Sequence, residues 1–303
     1  MGFQNAGFDV VSAYDLWDAA IACYGANFAH PVRKADLSET GAAAEMVRCD
    51  SPDLIIGGPP CQDFSSAGKR VEQEKAGLTK SFAMIIYAVR PRYFVMENVG
   101  RAFGSLAYAE AKGIFKKAGY GLTERVLNAS LCGVPQNRKR LICAGALGEE
   151  DGFLSEHLDG GLSPRPTTVR DYLGGSLGID YYYRHPRNYS RRAVFSIDEP
   201  APTMRGMNRP VPKGYVGNPN DACPVGDGVR ALTTRERSLI QTFPPGFKWV
   251  GTRGDIEQMI GNAVPVKLAE YVARALLSFI GNGGTGALSA PDVASETGAA
   301  PDV

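Results

Sequence analysis

The apolar run Leu54-Ile55-Ile56, followed at once by Gly57-Gly58-Pro59-Pro60-Cys61-Gln62, constrains this chain more than any other stretch. A buried strand that ends in two glycines can turn tightly and bring its backbone close to a ligand, and the two prolines then fix φ and remove two donors. Cys61 is thereby expected on a stiff turn at the carboxyl end of a strand, the end at which open α/β sheets bind ligands. A free cysteine is most often a small buried hydrophobe. The Pro-Pro-Cys-Gln context reverses that expectation and presents Cys61 to a substrate.

The surrounding sequence alternates between strand-like and helix-like segments. Phe8 to Tyr14 is an apolar run ending at Asp15, and a helical stretch follows from about Trp17 to Tyr24. Leu54-Ile55-Ile56 reads as a fully buried strand and Leu78 to Val89 as a helix. Tyr93-Phe94-Val95-Met96 is another buried strand, stopped by Glu97-Asn98. Such alternation predicts an α/β fold with a parallel, doubly wound sheet. Two further strands, Leu122 to Leu127 and Arg140 to Gly145, flank the polar segment Pro135-Gln136-Asn137-Arg138-Lys139. From about residue 151 the periodicity weakens while prolines, glycines, arginines and tyrosines accumulate, so residues 151–257 read as a second, smaller, loop-rich region beside a first domain of residues 1–150. The amphipathic stretch Lys267 to Ile280 returns the chain to the first domain over residues 258–280. The tail, 281–303, is rich in Gly, Ala and Ser, carries Ala-Pro-Asp-Val twice, and is predicted to be disordered.

Composition narrows the partners. A chain of 303 residues with net charge +1 can bury a proper core, and any nucleic-acid surface must be local rather than global. Six cysteines without a CxxC pair, and three isolated histidines, argue against a disulfide framework and against a metal site. No apolar stretch is long enough to span a membrane and the first residues lack a signal-peptide pattern, so a soluble cytoplasmic protein is expected. One local basic run stands out: Tyr181 to Lys213 holds seven Lys/Arg against two Asp/Glu, interleaved with Tyr181, Tyr182, Tyr183, Tyr189 and Phe195.

Four motifs now stand in register: Gly57-Gly-Pro-Pro-Cys-Gln-Asp-Phe-Ser65, Glu97-Asn98-Val99, Gln136-Asn137-Arg138-Lys139-Arg140 and Gly261-Asn262-Ala263-Val264-Pro265. Their order and spacing over roughly residues 1 to 280 resemble the DNA (cytosine-5)-methyltransferase family of bacterial and phage type. Arg235-Glu236 and Gln241-Thr242-Phe243-Pro244 are similar to the block ahead of the family's last motif. The resemblance implies an S-adenosylmethionine-dependent methyltransferase sheet in residues 1–150 and a target-recognition region in 151–257. It makes Cys61 the nucleophile that adds to carbon 6 of a flipped cytosine, which then takes a methyl group at carbon 5. Glu97 would hydrogen-bond ring nitrogen 3 and the exocyclic amine, a role that favours a raised pKa. Arg138 and Arg140 would help the thiol ionise, with Arg140 reaching the base oxygen.

The same resemblance implies S-adenosyl-L-methionine as cofactor, with Asp15 at the ribose, Leu16 near the adenine, Asp36 at its amine, Asn262 and Val264 beside the methionine moiety, and Pro59 and Leu78 as apolar walls. It implies duplex DNA as partner, contacted by Arg184, Arg187, Arg191, Arg192, Arg205 and Arg209. It further implies a monomer in a restriction–modification system, with a cognate endonuclease encoded nearby. The family opens with a strand and a loop, Asp-x-Phe-x-Gly-x-Gly-Gly, whereas Met1 to Phe8 matches the helix after it. Losing four or five buried apolar side chains would forfeit roughly 6–15 kcal/mol, the size of a domain's whole stability. A late start codon and a decayed gene both account for that beginning, and little methyl transfer is expected from the chain as written. Two other functions share these motifs: a transfer-RNA cytosine-5 methyltransferase, and an inactive remnant that binds DNA.

Overall fold

The computed structural model describes residues 1–60, 69–186, 188, 190–226 and 228–283, with backbone alone over 69–76. Cys61, Gln62, Arg187 and the tail from residue 284 lie outside the described residues. Helix α1 (Gly2–Ala6), closed by Gly7 in the left-handed region, leads into the parallel pair β1 (Ala13–Asp15) and β2 (Val32–Lys34), joined through α2 (Asp18–Gly25). After α3 (Thr40–Cys49) comes the main sheet, built from β3 (Leu54–Gly57), β4 (Tyr93–Val99) and β5 (Tyr120–Asn128), with α4 (Lys69–Val89) and α5 (Leu106–Lys117) as connections. The two-residue strand β6 (Gln136–Asn137) precedes the last member, β7 (Lys139–Leu147). Strand order is β3-β4-β7-β5.

Strands β3 and β4 are parallel, but β7 runs antiparallel to both β4 and β5. The sheet is therefore mixed rather than wholly parallel, as the alternation alone suggests. The link from Asn128 to Lys139 is too short for a crossover helix, and antiparallel pairing needs none. Side chains alternate along the sheet between two cores, one on each face. Tyr93 and Val95 of β4, with Ile142, Ala144 and Ala146 of β7, join Leu268, Val272 and Leu276 in one core. Phe94, Met96, Leu141 and Cys143 point the other way, onto Ala83 and Ile86 of α4 and Tyr108, Ala111 and Phe115 of α5. Strand β3 differs from its predicted burial. It is hydrogen-bonded to β4 alone, the cores reach only Leu54 and Ile55, and Ile56 stays 49% exposed.

Helix α6 (Ser155–Gly160) brings Leu158, and Leu154 just before it, into the first of these cores. The change of core thus falls after α6 rather than at residue 151. A third core holds Val169 of α7 (Val169–Leu173), Tyr182 of β8 (Tyr181–Tyr183), Ile197, Ala201, Met204 and Ile240. Strand β8 sits between β9 (Val194–Ser196) and β11 (Arg230–Ala231), while β10 (Ala201–Pro202) pairs with β6. Helices α8 (Thr234–Ile240) and α9 (Arg253–Asn262) follow, each started, like α7, by a threonine capping box: Thr168/Asp171, Thr233/Glu236 and Thr252/Asp255. Helix α10 (Val266–Gly281) returns to the first core and packs on α1.

Candidate active site

Glu97 lies near the carboxyl end of β4 opposite Ile142 of β7, two residues from Arg140, which pairs with Val99 and so shares the face of Glu97. The Arg140 Nε donates to Glu97 Oε1 at 2.7 Å, and both side chains are largely buried. Burial pushes the Glu97 carboxyl above its ordinary range; the positive charges of Arg140 and Arg138 and the Arg140 hydrogen bond pull it part of the way back. Burial likewise lowers Arg140, opposed by Glu97. A carboxyl so placed holds its proton at a pH where an exposed one would not, and can donate it to an acceptor held beside the turn.

The turn ahead of Cys61 is built against this pair. A Cβ on Gly58 would lie 3.2 Å from Glu97 Oε2, and one on Gly57 would meet the Phe82 ring at 2.5 Å. Buried Asn98, next to Glu97, donates its Nδ2 to the Pro59 carbonyl at 3.1 Å while its Oδ1 accepts from Val99 N at 2.8 Å. One strand end therefore carries the carboxyl, and its neighbouring amide straps the turn to that carboxyl. The motif Glu97-Asn98-Val99 gives Asn98 no role by its residue type, and its place beside a catalytic candidate is the signal that points to one.

Arg138 is placed otherwise than expected. It is 1% exposed, and its guanidinium donates to the carbonyls of Met204 (3.1 Å), Gly261 (3.0 Å) and Ala263 (3.0 Å). Burial, with Arg140 nearby, lowers its pKa to about 9. Its geometry is that of a clamp joining three segments rather than a group facing the cysteine turn. Gln136 completes the clamp: its Nε2 donates to Gln241 Oε1 at 2.6 Å and its Oε1 accepts from Met204 N at 2.9 Å, while Gln241 Nε2 reaches the Ala263 carbonyl at 3.0 Å. At the same junction the backbones of Gly206 and Gly261 touch, leaving no room for a Cβ on Gly261. Buried amides far apart in sequence give no periodic signal, so this junction escapes a reading from pattern.

A cleft of about 1060 Å³ opens between the ends of β4 to β7 and the segments around the third core. Among the described residues, eight cations line it (Arg101, Arg138, Lys139, Arg140, Arg184, Arg191, Arg192 and Arg205), and no acid does. The expected DNA-contacting arginines divide here. Arg192 donates to the Val194 carbonyl at 3.0 Å, pairs with Glu199 and lies 4.3 Å over the Phe195 ring, so its charge is satisfied within its own sheet. Arg184 donates to the Thr203 carbonyl at 2.7 Å and Arg205 to that of His185. Arg191 is exposed on the cleft wall, whereas Arg209 is exposed but not among the lining residues. A smaller groove of about 380 Å³, lined by Arg235, Phe247 and Trp249 among others, holds none of the expected site residues.

The cofactor candidates separate as well. Asp15 ends β1, exposed, and accepts from Trp17 N at 2.8 Å; Leu16 beside it is also exposed. Asp36 follows the adjacent parallel strand β2, and accepts from the backbone N (2.9 Å) and the hydroxyl (2.6 Å) of Ser38, which lower its pKa. Asp15, Asp36 and Pro59 thus share the carboxyl ends of parallel strands. Leu78 is half-buried on α4. Asn262 instead lines the cationic cleft, accepting from Gln258 at 2.7 Å, and Val264 packs against the first core. Helix α9 ends at Asn262 and α10 begins at Val266, so the two residues point to different compartments.

Comparison with known proteins gives a consistent result. A family model described as C-5 cytosine-specific DNA methylase matches residues 1–278. The chain is 53% identical over 283 residues to the Type II methyltransferase M.HindV of Haemophilus influenzae, covering 92% of each chain. It is 52% identical over 281 residues to the Type II methyltransferase M.HgiDI of Herpetosiphon aurantiacus, covering 92% of this chain and 91% of that one. Among solved structures, the Dnmt2 methyltransferase of S. pombe superposes with a TM-score of 0.64 at 17% identity, over 91% of this chain and 93% of that one, a likeness of fold.

Proposed function

The chain belongs to the C-5 cytosine-specific DNA methylase family, and from that premise we propose that it methylates carbon 5 of cytosine in a specific duplex DNA sequence. The methyl donor is S-adenosylmethionine and the nucleophile is Cys61. The observation that carries this reading is the buried Glu97–Arg140 pair set against Gly58, three residues ahead of the cysteine.

Carbon 5 of cytosine is a weak nucleophile. Addition of the Cys61 thiolate to carbon 6 breaks the 5,6 double bond and sends its electrons toward carbon 5 and ring nitrogen 3. Glu97, holding its proton by burial, supplies it at nitrogen 3, and Arg140 both orients that carboxyl and offers donors to the base oxygen. S-adenosylmethionine, when bound, supplies the electrophilic methyl group. Its ribose hydroxyls and adenine amine are donors, which suits the exposed carboxylates of Asp15 and Asp36 at the ends of β1 and β2. Transfer of the carbon-5 proton to a water molecule restores the 5,6 double bond and expels the thiolate, and ring nitrogen 3 returns its proton to Glu97. The base must be flipped out of the duplex to reach these groups, and the cation-lined cleft suits the backbone of the strand that carries it. The Type II names of the two bacterial relatives support a place in a restriction–modification system with a partner endonuclease, in the cytoplasm.

The test is transfer of labelled methyl from S-adenosylmethionine to duplex DNA and, in parallel, to transfer RNA. Against the low transfer expected from the sequence alone, the site and the two relatives favour transfer to DNA, abolished by Cys61→Ser and reduced about 10²–10⁴-fold by Glu97→Gln. Transfer to RNA alone would replace the substrate, activity in Cys61→Ser would sink the nucleophile, and salt-sensitive DNA binding without any transfer would leave a binding protein.

A further inference from the structure

We infer that Arg191 reads the edge of a guanine in the target sequence. The inference rests on the proposed DNA-methylating function and names the residue that confers part of its specificity.

Arg191 and Arg192 are adjacent and indistinguishable by composition, but the fold gives them different surroundings. Arg192 is neutralised by Glu199 and packed on Phe195. Arg138 and Arg140 are buried in the clamp and the Glu97 pair, Arg184 and Arg205 donate to backbone carbonyls, and Arg101 is engaged too. Among the described residues, the Arg191 guanidinium has no hydrogen bond or ion pair, and it is exposed on the wall of the cleft. Its backbone, by contrast, is fixed on both sides. Arg191 N donates to the Asn188 carbonyl at 3.1 Å, Ser190 N to Asn188 Oδ1 at 2.6 Å, and Asn218 Nδ2 to the Ser190 carbonyl at 3.0 Å. On the other side Asp221 Oδ1 takes Ala193 N at 2.7 Å and Val194 N at 2.8 Å.

A donor fork without a partner among the described residues, on an anchored backbone, is preorganised for a planar acceptor pair. Guanine presents O6 and N7 in the major groove as such a pair, and arginine matches them bidentately. Lys139 is the other exposed cation of the cleft without a side-chain partner among the described residues, and it stands on β7, beside Arg140, on a different element from Arg191. As a flexible point charge it suits a phosphate. The two elements thus divide the labour: β7 grips the backbone near the target nucleotide, and the segment before β9 reads a neighbouring base pair.

The experiment uses a pool of randomised duplexes, read two ways: by base-resolution mapping of 5-methylcytosine after incubation with the protein, and by sequencing duplexes retained in binding selection, which needs no turnover. Arg191→Ala is expected to relax one G·C position by about 5- to 150-fold and leave the other positions intact. Arg191→Lys restores the charge but not the fork, and is expected to leave that position relaxed. Rescue by lysine, a loss spread evenly over all sequences, or an unchanged profile would each overturn the inference. A wild-type protein that selects a guanine through Arg191 yet methylates nothing would sink the enzymatic reading and spare this one.

Discussion

Gly261→Ala adds one methyl group at the junction of the cleft's two walls, and its consequence can be worked out atom by atom. The new Cβ would lie 2.2 Å from Gly206 N, 2.5 Å from the Arg205 carbonyl carbon and 2.7 Å from Gly206 Cα. All three are backbone atoms, so no rotamer change relieves the clash. Ordinary contact begins near 3.4 Å, and the two segments must part by about 1 Å to reach it. Gly261 does not have a left-handed backbone, and since it lies in α9 the clash is opposed only by the gain of about 0.5–1 kcal/mol from replacing a helical glycine. A parting of that size stretches the Arg138 hydrogen bonds to Met204 and Gly261, now 3.1 and 3.0 Å, past the limit of useful geometry. Two hydrogen bonds from a charged donor are worth about 1.5–3 kcal/mol each, so a loss of about 3–6 kcal/mol is expected. That corresponds to a fall in Tm of roughly 6–20 °C, measured by thermal unfolding. Gly113→Ala in α5 is the matched control: nothing lies within 4 Å of its Cβ, and the same chemical change should stabilise by about 0.5–1 kcal/mol. A Gly261→Ala protein that melts within about 2 °C of wild type would refute the account of the junction.

Three further outcomes are expected. A rate that needs Glu97 protonated falls as pH rises through the raised Glu97 pKa; Arg140 pulls that pKa down, so Arg140→Met should move the falling limb of residual activity to higher pH, and a limb that stays put or moves lower contradicts the pairing. Arg237 and Glu257 form a buried ion pair, with Thr234 Oγ1 donating to Glu257 at 2.6 Å, and burial takes Arg237 to about 10. Removing either charge alone should cost about 3–5 kcal/mol in urea unfolding, and Arg237→Met with Glu257→Leu distinctly less than the sum. Lys139→Ala should lower the slope of log affinity against log salt by about 0.9 while leaving sequence preference unchanged, read by titrating DNA binding across salt concentrations.

Much of the first domain was legible in its pattern. The apolar stretch Tyr93-Phe94-Val95-Met96 had to be a strand buried on both faces, and it is one whose alternate side chains enter two cores. Lys267 to Ile280 had to be amphipathic, and α10 buries that face on the sheet. The direction of β7 was not legible, because local apolar character is the same for parallel and antiparallel neighbours. Ile56 was misjudged for a related reason: its own side chain says nothing about whether a strand or helix stands beside it.

Residue types bounded the site, and contacts sorted it. The motif Gln136-Asn137-Arg138-Lys139-Arg140 announces two arginines of equal promise, and side-chain chemistry cannot rank them. Residues two apart in a strand would share a face, so it is the break between β6 and β7 at Arg138 and the fold of the distant carbonyls that rank them: Arg140 meets Glu97 at 2.7 Å, and Arg138 closes on Met204, Gly261 and Ala263. The same holds in the basic run, where Arg192 is taken by Glu199 and Arg191 is left to the cleft. Composition and spacing determine which groups exist and which chemistry they could perform, because those are properties of the chain. Which of two identical guanidiniums faces a substrate depends on partners far away in sequence, and only the tertiary structure brings those partners within hydrogen-bonding reach.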